Sequence, residues 1–245
     1  MALTMSVIVC AYNEERYLPA CLHSVLAQTR PPDQIIVVNN ASTDATRAVS
    51  LGIERVTVVD EPRKGLVRAR ETGRHRATGD VLVYLDADCR APLTWLERVE
   101  RVLERHADAV AVTGPYRFYD WHRWGRVLIG SYDRTVAPLT HVAAQRVFRV
   151  GALLYGGNFA VRRSALERIG GFDERIEFHG EDTNLGRRLA TIGHVVLSNA
   201  CWLHTSARRY RALGTLKVMR LYVRNFWSET MYHQQADRQH LDVRT

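Results

Sequence analysis

The sequence lacks an apolar run long enough to span a membrane. No uncharged apolar stretch approaches the roughly 18–20 residues that a membrane-spanning helix needs. Its first residues contain no basic segment, apolar segment and cleavage site in succession, so we expect no signal peptide. The four cysteines, at positions 10, 21, 89 and 201, form no Cys-x-x-Cys motif. Free thiols, and with them a cytoplasmic location, are therefore expected.

Two common nucleotide-binding signatures are also absent. No G-x-G-x-x-G follows the first apolar run, and G-x-x-x-x-G-K-[ST] occurs nowhere in the chain. These absences remove the main support for a dinucleotide-binding or P-loop protein. No RNP or helix-turn-helix pattern is visible either, so no nucleic-acid partner is expected.

Lysine is scarce: it occurs only at Lys64 and Lys217, and arginine supplies nearly all of the basic charge. The 245 residues carry 34 basic and 26 acidic side chains, a formal net charge of +8. The excess is concentrated toward the C-terminus, where residues 207–245 hold 8 basic and 3 acidic side chains. This distribution suits a phosphate-rich partner, although a solvated basic face would give the same pattern.

The first hundred residues contain alternating strand and helix patterns. Short apolar runs predict strands at 6–10, 34–38, 55–59 and 81–85, and residues 17–28 and 68–77 have helical patterns. The alternation is typical of parallel β-α-β units with helices on both faces of a sheet. Polar segments follow two of these strands, at 39–44 and 86–88, and the carboxyl ends of strands are where ligands bind in open α/β sheets.

Asp86-Ala87-Asp88 is the first of the motifs that could carry chemistry. Two carboxylates two residues apart at a strand end can reach one divalent cation, and their oxygens suit Mg²⁺ or Mn²⁺. Such a cation can in turn hold a diphosphate. The alternative is a solvated turn in which Asp88 caps the next helix.

Seven segments together form a specific ordered pattern. They are residues 7–14 (VIVCAYNE), 37–44 (VVNNASTD), 65–70 (GLVRAR), 77–88 (ATGDVLVYLDAD), 157–163 (GNFAVRR), 170–174 (GGFDE) and 180–182 (GED). In this order and spacing they resemble the family 2 glycosyltransferases of the GT-A fold, over residues 6–209. The aromatic middle of the chain, about 100–150, and the tail after Tyr210 lie outside the resemblance.

The resemblance implies an α/β GT-A fold, with a Rossmann-like nucleotide-binding half, a mixed central sheet and a C-terminal helical extension. The corresponding divisions are a catalytic domain at 1–206, made of a nucleotide half (1–100) and an acceptor half (101–206), and an extension at 207–245. The implied activity is inverting transfer of a sugar from a nucleotide-diphosphate donor to an acceptor hydroxyl, with Mn²⁺ or Mg²⁺. A UDP-sugar is the first expectation for the donor, with GDP- and dTDP-sugars as alternatives. The acceptor would be a glycan, a lipid-linked glycan or a small molecule.

By position, the resemblance also implies a set of donor-binding residues. The nucleoside pocket would be lined by Ala11, Tyr12, Asn13 and Glu14, and Asn40 would face the base. Arg70 would lie near the pyrophosphate, and Asp86 would lie near the ribose with Ala87 next to it in the motif. Asp88 would bind the metal. Asp44 is expected to cap the following helix. Arg208 and Arg209 are close enough in sequence to approach the diphosphate. Many family members carry an acid in the Asn39-Asn40 pair, and because both are amides here, the base preference stays open.

On the acceptor side, the resemblance places the Gly157-Asn158 loop at the acceptor and makes Asp182 the general base. Glu181 would orient a loop or an acceptor hydroxyl. Adjacent acids at a helix start are also typical of plain capping. We expect the helix dipole to keep Asp182 ionised at neutral pH.

His204 has two interpretations: a structural histidine, or the extra metal ligand that some GT-A enzymes place at about this point, beside Asp86 and Asp88. Imidazole is acceptable to Mn²⁺ and less so to Mg²⁺. The other nine histidines show no metal-ligand spacing.

The segment 213–233 has a helical pattern. Lys217, Arg220 and Arg224 share one face, and another is formed by Leu216, Met219, Val223 and Phe226. Either the helix docks on the catalytic domain, or it lies on an anionic membrane and holds the enzyme peripherally on the inner face of the plasma membrane.

The alternative functions for the chain are a polyprenyl-phosphate glycosyltransferase, a nucleotidyltransferase and a non-catalytic basic membrane-binding module.

Overall fold

A computed structural model of the chain describes residues 3–176 and 180–232. Its main sheet has seven strands: β1 (Met5–Ala11), β2 (Gln34–Asn40), β3 (Thr57–Glu61), β4 (Val81–Asp86), β5 (Ala109–Thr113), β7 (Asn158–Arg162) and β8 (His194–Leu197). Two short strands, β6 (Tyr116–Phe118) and β9 (Leu203–Thr205), pair in parallel as a separate ribbon. The four strands predicted in the first hundred residues are confirmed, with the third displaced by two residues.

The helices are α1 (Leu18–Leu26), α2 (Thr46–Leu51), α3 (Leu66–Arg76), α4 (Trp95–Arg105), α5 (Arg123–Arg134), α6 (Val136–Val142), α7 (Arg163–Arg168), α8 (Glu181–Ala190), α9 (Arg208–Leu213) and α10 (Thr215–Tyr232). A π-helical turn, Ala143–Val147, continues α6. Pro19 lies in the first turn of α1, where its missing N–H is not needed.

The strand order β3-β2-β1-β4-β7-β5-β8 sets the position of the site. The chain winds outward from β1 through β2 to β3 and then returns to the other side of β1 with β4, so the loops after β1 and β4 flank a crevice. Strand β7 runs antiparallel to β4, with Asn158 opposite Leu85. The start of β7 therefore lies at the same sheet edge as the ends of β1, β2 and β4.

Side chains of β1 alternate between two cores. Val7 and Val9 pack on the face covered by α1 and α4, whereas Ile8 packs on the face covered by α3 and α8. Trp95 of α4 is fully buried in the first core. Burial of each such aliphatic side chain stabilises the fold by about 1.5–3 kcal/mol, so the crevice at the strand ends is held by two layers of packing.

The C-terminal helix α10 packs against α8 and α9. Two residues of the apolar face predicted for it are exposed, Leu216 at 84% and Val223 at 57%, whereas Val218 and Asn225 are buried. Residue 233, where the predicted helix would end, lies outside the described residues. Among the described helices, none combines the length and the hydropathy needed to cross a bilayer.

Candidate functional site

The loop after β1 is tied to the loop after β2. Asn13 adopts the left-handed backbone conformation (φ 51°), and its Oδ1 accepts a hydrogen bond from the Thr43 backbone N–H at 2.8 Å. The Glu14 N–H donates to Thr46 Oγ1 at 2.7 Å. Asp44 Oδ1 accepts from the Thr46 N–H at 3.0 Å, the capping role expected for it. These bonds fix one wall of the crevice.

Tyr12 and Ala11 belong to the same wall. Ala11 is fully buried, so it shapes the floor rather than offering a contact. The Lys64 ammonium lies 3.9 Å from the centre of the Tyr12 ring. That distance is within the range of a cation–π contact.

Asn40 does not face the crevice as the resemblance implied. It is buried, its Nδ2 donates to the carbonyls of Glu61 (3.2 Å) and Arg63 (2.8 Å), and its Oδ1 accepts from the Gly65 N–H at 2.8 Å. Both amide hydrogens are used by the loop after β3. Asn40 therefore holds that loop.

Asp86 ends β4 at the mouth of the crevice, with 44% of its side chain exposed. A Cβ built on Gly157 would lie 2.1 Å from Asp86 Oδ2 and 2.7 Å from the Tyr116 hydroxyl. Only glycine allows this approach. The Gly157 N–H donates to the Tyr116 hydroxyl at 2.7 Å, which fixes the loop against the carboxylate.

Asp88, in contrast, is 8% exposed and already lies beside a cation. The Arg208 Nε is 3.0 Å from Asp88 Oδ2, and the same guanidinium donates to both carboxylate oxygens of Glu14, at 2.9 Å for Oε2. Burial would lower the pKa of Arg208, but Asp88 and Glu14 raise it above its ordinary value. The Arg208 charge is thus held between the loops that follow β1 and β4.

His204 is turned away from Asp88. Backbone hydrogen bonds between Arg90 and His204, at 2.8 and 3.1 Å, hold β9 beside the Asp88 loop. Side chains alternate along a strand, and Thr205 is the one that approaches Asp88, with 3.4 Å between Thr205 Oγ1 and Asp88 Oδ1. The His204 ring packs edge-on against Trp202 instead.

The structure therefore does not bring Asp86, Asp88 and His204 together as a three-ligand site. Within residues 3–176 and 180–232, no group of three or more His, Cys, Asp or Glu side chains is arranged to hold a metal ion. Burial, reinforced by neighbouring arginines, lowers the pKa of His204 and favours the neutral ring. The carboxylates of Asp86 and Asp88 remain the candidate metal ligands.

Arg70 links the Asp86 carboxylate to helix α8. It is 2% exposed, and its Nη2 donates to the Gly156 carbonyl at 2.5 Å. Its guanidinium lies 3.4 Å from Glu181 Oε1 and 3.9 Å from Asp86 Oδ1. Burial would lower the pKa of Arg70, but Glu181 and Asp86 raise it. A buried cation in this place fixes the positions of both acids.

Asp182 lies in the first turn of α8, partly buried, with its Oδ1 accepting from the Thr183 N–H at 2.7 Å. Burial, together with the neighbouring Glu181 charge, raises its pKa to about 7, although the Thr183 N–H and Arg70 oppose the shift. Our expectation of an ordinary ionised carboxylate was wrong, because desolvation outweighs the helix dipole. A raised carboxyl pKa is one feature that a general base would need.

Gly156 and Gly157 lie between the Asp86 carboxylate and the two acids of α8, Glu181 and Asp182. A Cβ built on Gly156 would lie 3.3 Å from Asp182 Cβ and 3.4 Å from Glu181 Oε1, whereas one on Gly157 would strike Asp86. The carboxylate that ends β4 and the first turn of α8 thus meet along one dipeptide. We refer to Asp86, Asp88, Glu181 and Asp182, with Gly156 and Gly157 between them, as the acidic seam.

Asn158, expected at the acceptor, is instead structural. It is 1% exposed, and its Nδ2 donates to the carbonyls of Gly114 and Cys201 at 2.8 Å. The Arg209 guanidinium carbon lies 5.5 Å from the centre of the Tyr222 ring. Burial, together with the charges of Asp182, Glu181 and Asp86, raises the pKa of that tyrosine. Of the residues placed at the acceptor loop, Gly157 is the one that borders the crevice.

Three side chains near the seam were not predicted from the sequence. They are Thr205, Tyr116 and Tyr155, whose hydroxyl donates to Asp133 Oδ1 at 2.5 Å. Burial raises the pKa of Asp133 to about 6. The period-two alternation of a strand could have identified Thr205 as the neighbour of His204 that faces inward; no local pattern marks the two tyrosines.

Comparison with known proteins supplies the family. The glycosyl transferase family 2 model matches residues 6–170. The chain belongs to that family. It is 29% identical over 202 residues to the glucosyl-dolichyl phosphate glucuronosyltransferase of Haloferax volcanii, covering 76% of this chain and 58% of the relative. It is 31% identical over 225 residues to the mouse polypeptide N-acetylgalactosaminyltransferase 4, covering 81% of this chain and 38% of the relative. The family 2 chain thus spans about half the length of such relatives.

Solved structures agree with the fold. The mannosyltransferase PcManGT from Pyrobaculum calidifontis, in complex with GDP-Man and Mn²⁺, superposes with a TM-score of 0.66 at 23% identity, over 91% of this chain and 65% of that one. Glucosyl-3-phosphoglycerate synthase from Mycobacterium tuberculosis, with Mn²⁺, UDP-glucose and phosphoglyceric acid, gives 0.63 at 22% identity, over 93% and 80%. The GT-A fold that the resemblance implied for this family 2 chain is confirmed.

Proposed function

We propose that this glycosyltransferase moves a sugar from a nucleotide-diphosphate donor to an acceptor hydroxyl, with inversion at the anomeric carbon. The single observation that carries the proposal is the acidic seam, in which a carboxyl with a pKa near 7, Asp182, shares the Gly156-Gly157 dipeptide with the strand-end acid Asp86. In this proposal residues 1–100 supply the donor side, 101–206 the acceptor side, and 207–245 the extension.

The donor side requires positive charge for a leaving diphosphate. The contact between Asp88 and the Arg208 guanidinium supports a cation site there, because a buried carboxylate already attracts a cation at 3.0 Å. Asp86 and Asp88 would hold Mn²⁺ or Mg²⁺, which when bound supplies charge stabilisation to the diphosphate. Arg208 itself is the second source of positive charge at the same loop.

In this proposal the two adjacent acids, Glu181 and Asp182, have different tasks. Glu181 is ion-paired to the buried Arg70, so it stays ionised and keeps the loop carrying Gly156 in place. Asp182, whose pKa is raised, would take the proton of the acceptor hydroxyl as the new bond forms. General-base assistance of this kind contributes about 10²–10⁴ in rate.

Recognition of the nucleotide base is assigned to Asn39 rather than Asn40. Asn39 is 7% exposed, its Nδ2 donates to Asp60 Oδ1 at 2.8 Å, and its Oδ1 has no hydrogen-bond partner among the described residues. This oxygen is buried, so it would accept from an imide or amide N–H of uracil, thymine or guanine after a movement of the side chain. A UDP-sugar stays the first donor, with GDP- and dTDP-sugars as alternatives; the two solved neighbours are in complex with GDP-Man and UDP-glucose.

A polyprenyl phosphate is the second candidate acceptor. The name of the Haloferax relative includes a glucosyl-dolichyl phosphate, which supports a lipid-linked acceptor. A phosphate nucleophile is already charged and would need no base, so the raised pKa of Asp182 favours the hydroxyl.

Thermal-shift measurements with UDP-, GDP- and dTDP-sugars, with and without Mn²⁺, test the donor assignment. A ligand that binds the folded state raises the melting temperature in proportion to its affinity, so the true donor should stand out and its effect should weaken in chelator. Asp88→Asn is the matched variant, and it should lose the part of the donor-induced thermal shift that depends on Mn²⁺. Product analysis with a glycan and with a polyprenyl phosphate then separates the two acceptors. If no nucleotide sugar stabilises the parent, the proposal is wrong.

A further inference from the structure

Residues 123–149, which form α5, α6 and the π-helical turn, expose far more apolar surface than the rest of the described chain. We call them the 123–149 hairpin. Trp124 is 79% exposed, Leu139 72% and Phe148 69%, and five further large apolar side chains of the hairpin are also exposed. In residues 3–122, only Leu51 and Leu93 reach comparable exposure. Scattered apolar residues on a surface are normal, but a concentration of them marks an interaction site.

The hairpin turns its polar side inward, the reverse of an ordinary surface helix. The buried positions of α6 and the π-turn are Ala137, His141 and Ala144. His141 Nε2 lies 2.8 Å from the Val195 carbonyl, and the Gln145 side chain both accepts from the Val195 N–H at 2.8 Å and donates to its carbonyl at 3.2 Å. The edge strand β8 therefore fixes the hairpin through hydrogen bonds and leaves the apolar side outward.

The charge of this outward side is entirely basic. Its exposed ionised residues are Arg123, Arg126, Arg134, Arg146 and Arg149. The only acid of the segment, Asp133, is 5% exposed and bonded to Tyr155. Within residues 3–176 and 180–232, none of these five arginines forms an ion pair. Burial, together with the Arg134 charge, lowers the pKa of Arg117, so positive charge continues from the hairpin to β6.

The hairpin also adjoins the acidic seam. Its Asp133 receives the Tyr155 hydroxyl, and Tyr155 directly precedes Gly156, which contacts Asp182. Docking of the hairpin on a bilayer would thus bring the loop that carries Gly156 close to the lipid head groups.

We propose that the 123–149 hairpin is a docking surface for an anionic lipid bilayer. Trp124, Leu139 and Phe148 enter the interfacial layer, and the surrounding arginines pair with lipid phosphates. Apolar groups with an exclusively basic rim complement this occupant better than a second copy of the chain, whose identical arginines would repel. The inference does not depend on the glycosyl-transfer proposal, because vesicle binding is measured without donor or acceptor.

Sedimentation with phosphatidylcholine vesicles, with and without one third phosphatidylglycerol, tests the surface. The parent should bind the anionic vesicles, and less so as salt is raised. Arg126→Gln with Arg146→Gln should weaken that binding about 30-fold, roughly fivefold for each arginine. Trp124→Ser with Leu139→Ser should weaken it at low and high salt alike. Leu51→Ser with Leu93→Ser, the matched control on another surface, should change nothing.

Three results would overturn the proposal. One is a parent that stays in the supernatant with anionic vesicles. Another is an equal loss in the Leu51/Leu93 control, or a loss confined to a Lys217→Gln, Arg220→Gln, Arg224→Gln variant, which would move the contact to α10. The third is a parent that light scattering finds to be a dimer without lipid and that Trp124→Ser with Leu139→Ser makes monomeric, because the hairpin would then be an interface between copies.

Discussion

Arg208 and Asp88 form an ion pair in which the Arg208 Nε lies 3.0 Å from Asp88 Oδ2, at the point where a donor-bound cation would be needed. The contact joins residues 120 positions apart in the chain, and the same guanidinium also binds Glu14. The loops that follow β1 and β4 therefore share the Arg208 guanidinium as an internal cation. A metal ion that binds Asp88 would have to displace it.

Removal of that internal cation should strengthen metal binding in the absence of donor. Two unit charges about 4 Å apart interact by about 4 kcal/mol near a protein surface, so Arg208→Gln should tighten Mn²⁺ binding at least about tenfold, as measured by electron paramagnetic resonance of free Mn²⁺. Arg211→Gln is the matched control, since Arg211 lies on the same helix but pairs with Asp120 at 2.8 Å. Equal Mn²⁺ affinity in parent and Arg208→Gln would show that Asp88 does not bind the metal.

Asp182→Asn should lower turnover with little effect on donor binding. The substitution is nearly isosteric and removes only the proton-accepting group, so we expect a loss of about 10²–10⁴ in kcat. Donor affinity, measured by calorimetry, should stay within a few-fold, since this variant changes the transition state rather than the ground state. Glu181→Gln is the comparison. Near-parent turnover in Asp182→Asn would exclude this residue as the base and make Glu181 the next candidate.

The raised pKa of Asp182 also predicts two pH effects. Turnover of the parent should fall as the pH drops through about 7, because the base becomes protonated. A carboxyl whose folded-state pKa exceeds its unfolded value contributes stability that is fully present below the unfolded value and is lost as pH rises through about 7. Asp182→Asn should therefore melt at a higher temperature than the parent at pH 8, with the difference shrinking as the pH approaches 4. An equal difference at both pH values would contradict the shift.

Gly157→Ala should damage the site directly. Its Cβ would lie 2.1 Å from Asp86 Oδ2, so either the loop or the carboxylate has to move. We expect a lower melting temperature and a loss of the donor-induced thermal shift. Gly52→Ala is the control: its Cβ meets nothing closer than 3.6 Å, and φ is −77°. That variant should be neutral or more stable by about 0.4–1 kcal/mol. Equal behaviour of the two variants would mean that the crowding at Asp86 is harmless.

The parts of the fold that the sequence predicted are those with local causes. The strand ending at Asp86 is an apolar run followed by acids, and its place at the crevice follows from the alternation of strands and helices. Asp44 could be recognised as a cap because its partner, Thr46, is two residues away. Such relationships are determined within a few residues of chain.

The errors have a common physical origin in contacts that form only on folding. Asn40 and Asn158 look like ligand-binding amides, but each is satisfied by carbonyls of loops that lie far along the chain. The partner of Asp88 proved to be an arginine 120 residues away rather than the histidine. The 123–149 hairpin escaped prediction because its inward residues are small or polar, contrary to the usual pattern of an amphipathic helix.

The insertion of β7 between β4 and β5 has a consequence for synthesis. The ribosome releases β1 to β4 long before Asn158–Arg162, and until then β4 has one open edge that bears unpaired N–H and C=O groups. Residues 1–100, which contain β1 to β4, therefore leave the edge of β4 unpaired. A nascent chain arrested before residue 158 should depend on chaperones to stay unaggregated, and a truncated fragment of residues 1–100 should be difficult to isolate as a monomer.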